Sequence, residues 1–219
     1  MPTKDWKAVD QAKALLIGHD PRLKNSGTIA EYAMFADYYF KTISEKSTEK
    51  SKFALAEAAF NQVSYLTKQR IKPDQLYITN LCNDSLPHAP KGKTVLIPEN
   101  EAIKGLKNIT SILSEYPSIK YVFPMSLQVN YWLHKLGFYN SDDLFLENSE
   151  PKIIGLLSNP KYYEPKKQRT FLMICGNTYK ANSGHQIVIP ILHTKNFPLK
   201  GNFLAYSENY DRILKYFDR

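Results

Sequence analysis

The feature that most constrains this chain is an alternation of short apolar runs with stretches whose apolar residues recur every three or four positions. Ala14-Leu15-Leu16-Ile17 is the first run, closed by Gly18 and an Asp-Pro turn, and it reads as a buried strand. From Thr28 to Thr42 the residues Ile29, Tyr32, Ala33, Ala36, Tyr39 and Phe40 keep helical spacing, with Thr28 and Glu31 placed as a capping box. A polar stretch from Ser44 to Ser51 separates this helix from another at about 52–70, marked by Phe53, Ala56, Ala59, Phe60, Val63 and Leu66. Leu76 to Thr79 is the second strand. Pro98 to Glu101 opens a third helix, with proline in the first turn and acids complementing the helix dipole. Ile119 to Phe123 is the third strand, and Ser126 caps a helix that runs to Gly137, a C-cap glycine. Phe171 to Cys175 and Ile187 to Leu192 are further apolar runs, and a last helix covers about Phe203 to Phe217. This order predicts an α/β three-layer sandwich with a central, mostly parallel sheet of about four main strands. The 219 residues read as a single domain with an insertion at about 140–185.

Composition narrows the function classes. At 43% hydrophobic and 23% charged the chain can bury a core, which excludes wholesale disorder. Two cysteines, Cys82 and Cys175, are too few for a disulfide scaffold or an all-cysteine metal site, and they fit a reducing, cytoplasmic setting. The N-terminal residues are polar, unlike a signal peptide. No apolar run approaches the roughly 18 residues of a membrane span. Walker A, dinucleotide-binding glycine and Gly-x-Ser-x-Gly patterns are absent from the sequence, and no cofactor is expected. A formal charge of +8 permits a polyanionic partner, although the lysines and arginines are dispersed. The expected form is a monomer.

In open α/β sheets, ligands bind beyond the carboxyl ends of the strands. Here those ends carry polar groups. The first strand runs into Gly18-His19-Asp20-Pro21-Arg22 and the second into Asn80-Leu81-Cys82-Asn83. The third ends at Pro124-Met125-Ser126, and the Ile187 run ends at His193-Thr194-Lys195-Asn196. Taken singly, an Asp-Pro pair is a turn, Asn80 a loop residue and His193 a surface histidine. Taken together, an acid, an amide, a hydroxyl and an imidazole at one rim predict a shared site.

These residues resemble a known family. Gly18-His19-Asp20-Pro21-Arg22 is similar to the first motif of the uracil-DNA glycosylase superfamily, Gly-Gln-Asp-Pro-Tyr in its best-known branch. Leu76 to Leu81 resembles the strand whose asparagine reads the uracil edge. Ile191-Leu192-His193, followed by Thr194 to Leu199, resembles the C-terminal motif with its DNA-contacting loop. The resemblance covers roughly residues 12–217, with 140–185 poorly matched. The chain looks like a divergent member. His19 stands where glutamine is common, Thr194 replaces a proline, and Arg22 replaces the tyrosine that blocks the thymine methyl. Two cysteines exclude the iron–sulfur cluster of one branch.

The resemblance implies hydrolysis of the N-glycosidic bond of uracil, or of a related deaminated base, after the nucleotide is flipped out of DNA. Asp20 would position the water and favour the cationic sugar, and His193 would stabilise the leaving base at its O2. Asn80 would pair with O4 and N3–H, a pattern cytosine does not offer. Phe35 would stack on the base, with Tyr32 as the competing aromatic, and His19 would complete the recognition set. Phe197 occupies the wedge position in a loop expected to be exposed, between Lys195 and Lys200. Arg22, Ser126, Lys195 and Lys200 would contact the DNA. The alternative is a non-catalytic nucleic-acid-binding or protein-interaction domain on the same fold.

Overall fold

A computed structural model describes residues 2–19, 30–84, 86, 97–140, 169–182 and 184–219. Its centre is a five-stranded sheet of β1 (Ala14–Gly18), β2 (Leu76–Asn80), β3 (Tyr121–Pro124), β4 (Tyr179–Lys180) and β5 (Ile187–Val188). The order is β2-β1-β3-β5-β4, parallel throughout except for the antiparallel edge strand β4. Among the described residues the α-helices are α1 (Ile43–Thr48), α2 (Lys50–Leu66), α3 (Glu99–Glu115), α4 (Ser126–Lys135), α5 (Arg169–Ile174) and α6 (Ser207–Tyr216). They lie on both sides of the sheet, so all five residues of β1 and of β2 are buried. The predicted mixed α/β layering with a mostly parallel sheet is what the chain adopts.

Several elements form for the reasons their sequence suggests. Pro98 is extended at the start of α3 and leaves Glu99 and Glu101 in the first turn. Past the end of α4, Gly137 takes φ 75° and Phe138 N–H returns to Leu133 O at 2.8 Å, a left-handed helix stop. β5 itself spans only two residues, and Pro190 beyond it has no N–H to give. The run still bonds to β3, because Ile189 N–H donates to Val122 O and Ile191 N–H to Pro124 O. Phe171, in contrast, lies in the helix α5.

The helix expected over 28–42 does not form. Thr28 lies outside the described residues, and Ala33–Tyr39 is a 3-10 helix broken by Met34 (φ 57°) and Phe35 (φ 54°). The cause is a strap made by the N-terminal segment. Lys4 N–H donates to Glu31 O and Ala33 N–H to Lys4 O, so these groups are committed to a bridge rather than to helical bonds. Helical structure resumes at α1, inside the stretch expected to be a polar spacer, where the Glu45 carboxylate accepts from Thr42 N–H and Oγ1–H. The strap also covers the edge of β2: Trp6 and Ile78 exchange both backbone bonds, and the Trp6 ring stacks on Phe40.

Candidate active site at the carboxyl rim

The sheet order changes direction at β1. β2 lies on one side of it and β3 on the other, so the carboxyl ends of β1 and β3 flank a topological switch point. The register then places the polar residues in a row. Gly18 is the partner of Asn80 and Ile17 the partner of Pro124. Beyond the strands, Leu81 N–H donates to Gly18 O, Cys82 N–H to His19 O, Met125 N–H to Ile17 O and Ser126 N–H to Ile191 O. Asn80, Gly18-His19, Met125-Ser126 and Ile191-to-His193 therefore stand on successive chains along one rim. At a strand spacing of about 4.8 Å, the outer two chains are about 14 Å apart, enough to seat a single ring between side chains.

Asn80 is the most unusual member. It is 0% exposed, and neither its Oδ1 nor its Nδ2 has a hydrogen-bond partner among the described residues. A buried amide left in that state costs on the order of 1–3 kcal/mol per group. Gly18 permits this placement, because a Cβ there would lie 2.4 Å from Asn80 Oδ1 and 3.1 Å from Met34 Sδ. Phe35 is next to Met34, 3% exposed, with its ring edge-on to Tyr38. Two successive non-glycine residues in the left-handed region are backbone strain of the kind that collects at functional sites.

Ser126 begins α4 with φ 73°, and its buried Oγ has no hydrogen-bond partner. It does not cap the helix as expected, since Met125 holds the cap position without a side-chain bond. The turn is held from behind by Asn130, whose Nδ2 donates to Pro124 O and Ser126 O while its Oδ1 accepts from Tyr139 OH. His193 is half-buried at the far end of the rim. The backbone leading to it is clamped by two helices: Gln62 Nε2 donates to Leu192 O and to Tyr210 OH, which also accepts from Leu192 N–H. Thr194 is fully buried with Oγ1 unpartnered, in a 3-10 turn, Thr194–Asn196, that also carries Lys195.

The loop after His193 carries Lys200 and Phe197 in different surroundings. Lys200 is exposed. Phe197 is not the freely exposed ring the sequence suggests; it is half-buried between Tyr65 and Tyr210, with centroids 5.4 and 6.3 Å away. The physical reason is ring-on-ring packing against Tyr65 of α2 and Tyr210 of α6, which removes part of the ring from water. Asp20 and Arg22 lie outside the described residues.

Sequence reasoning missed the parts that hold the rim. Asp5 accepts from Thr79 Oγ1 (2.6 Å), Asn108 Nδ2 (3.0 Å) and Asn83 Nδ2 (3.1 Å), tying the strap and α3 to the end of β2. Burial, with Asp5 nearby, raises the Tyr77 phenol well above its ordinary range. Met34, Gln62 and Tyr210 belong to the same supporting set. Only the mid-helix Asn108 and Gln62 carried a signal, as polar residues at positions that helical spacing turns inward. Among the described residues, no group of three or more His, Cys, Asp or Glu side chains could hold a metal ion, and no helix is long and apolar enough to cross a membrane.

A scan against models of protein families finds no match to the chain, and a search of curated proteins finds none either.

Proposed function

We propose that the protein is a DNA glycosylase that removes uracil, or a related deaminated base, from DNA on a uracil-DNA glycosylase-like fold. The observation that carries the reading is Asn80: a buried primary amide at the switch-point rim with donor and acceptor both unpartnered. One donor beside one acceptor, on a rigid strand end, is the complement of a base edge offering a carbonyl and an adjacent N–H. In this reading Phe35, next to Met34 in the chain, would supply the stacking surface, and His193 an imidazole across the rim.

In this mechanism the flipped base is gripped by Asn80 and stacked on Phe35, with His19 lining the entrance. As the glycosidic bond lengthens, the sugar gains positive charge and the base negative charge. Asp20 as carboxylate favours the cation and orients the attacking water, and His193 donates a hydrogen bond to the base O2. The water oxygen bonds to the sugar C1′, the N-glycosidic electron pair leaves with the base, and the products are free base and an abasic site. Ser126, Lys195, Lys200 and Arg22 hold the flanking phosphates, and Phe197 leaves its aromatic seat to fill the gap in the stack. The chemistry needs no cofactor, and the DNA substrate accounts for part of the chain's +8 charge.

Single-turnover base release by Asp20→Asn and His193→Ala tests the assigned roles. Each is expected to lose about 100-fold or more, the usual consequence of removing a preorganised charge-stabilising group. Wild-type rates in both variants would remove Asp20 and His193 from the mechanism.

A further inference from the structure

The groups that would face a base at this rim are covered. Asn80 is 0%, Phe35 3% and Met34 5% exposed. Met34 Sδ and Asn80 Oδ1 both lie within 3.1 Å of the point where a Cβ of Gly18 would stand, so the thioether packs over Gly18 beside the recognition amide. Its position is fixed by the backbone: at φ 57° and ψ 20°, Met34 departs from the 3-10 helix and turns its side chain toward the end of β1. Of the three residues, methionine alone has a long, unbranched and polarizable chain able to move aside and then repack against whatever enters.

We infer that Met34 is the specificity-determining wall of the base pocket, its thioether setting the size of ring that can reach Asn80. The inference rests on the reading of this rim as a base pocket. Met34 packs over Gly18 on the same side as the Asn80 amide. Loss of its methylthio end opens space for a 5-methyl group or a second fused ring. A pocket discriminates a single methylene by about 10–200-fold, which sets the scale of the effect.

The test is saturation-transfer NMR and calorimetric binding of free uracil, thymine and hypoxanthine to the full chain, alongside base release from oligonucleotides carrying each. The proteins are wild type, Met34→Ala, Met34→Gly, Asn80→Ala and, as a remote control, Met173→Ala at an exposed methionine. Met34→Gly suits the positive φ and decides the question where Met34→Ala fails to fold. The expected result is uracil binding by wild type that Asn80→Ala abolishes, and a rise of at least tenfold in the thymine-to-uracil or hypoxanthine-to-uracil ratio on truncating Met34. Met173→Ala leaves both ratios where they were. If uracil binds but neither ratio moves by tenfold, Met34 is not the wall and the base-pocket reading survives. Changed binding ratios without base release would leave Met34 as the wall and overturn the glycosylase reading. No base bound by wild type or by either Met34 variant overturns both.

Discussion

At the scale of the residue, Asn80 and Gly18 make opposite predictions about stability and function. Asn80 carries two buried polar atoms without partners, so Asn80→Ala removes an unfavourable burial and is expected not to lower the melting temperature, while base release falls by about 100-fold or more. A stabilising structural asparagine would behave in the reverse way, and thermal melts beside base-release rates separate the two. Gly18→Ala forces a methyl to within 2.4 Å of Asn80 Oδ1. Overpacking at a rigid strand pair costs about 1–3 kcal/mol and displaces the amide, so urea midpoint and activity should fall together. The strand-end position of Asn80 was legible in the sequence. Its lack of partners was not, because that depends on what β1 and the residues around Met34 bring across the sheet.

At the scale of the element, the rim is held by groups that do no chemistry. The clamp of Gln62 and Tyr210 on Leu192 fixes the chain just before His193. Tyr210→Phe leaves the Leu192 N–H without its acceptor and is expected to cost about 1–2 kcal/mol in urea unfolding. A larger proportional loss in base release than in stability would mark the clamp as a positioning device for His193. Asp5→Ala deprives Thr79, Asn83 and Asn108 of a common acceptor and should cost about 2 kcal/mol. Unfolding at the wild-type urea midpoint would show that the strap contributes nothing. The strap explains where reading by period failed. Residues 28–42 have helical spacing, but hydrogen bonds to Lys4 claim the backbone of residues 31–33 and produce the left-handed turn at Met34 and Phe35. No periodicity within one segment reveals a partner some thirty residues away in sequence. The apolar runs of β1, β2 and β3, by contrast, were readable because a strand buried on both faces is apolar regardless of its neighbours.

At the scale of the molecule, the core is rich in buried phenols. Burial raises Tyr77, Tyr139, Tyr206 and Tyr210 above the ordinary tyrosine value of 10.0, with Asp5 adding to the effect at Tyr77 and nearby groups adding at the others. These groups hold protons more tightly folded than unfolded. Their contribution to stability is fully present below about pH 10 and is lost as pH rises above it toward the folded values. The melting temperature should therefore drop steeply above pH 10, with cooperative phenolate absorbance at unfolding; gradual ionisation of all tyrosines near pH 10 with the fold intact would contradict this packing. Layering and sheet direction were legible from the order of apolar runs. The antiparallel edge strand β4 was not, since it has only two residues and depends on β5 for its pairing.

The central claim is chemical, and release of free base from DNA tests it most directly. Wild-type protein is incubated without metal with oligonucleotides containing uracil, hypoxanthine or a mismatch, and the free base is quantified. The account predicts free uracil or a related deaminated base, and an alkali-labile abasic site in equal amount. Salt-sensitive DNA binding with no base released from any of these substrates would contradict it and leave a nucleic-acid-binding domain in its place.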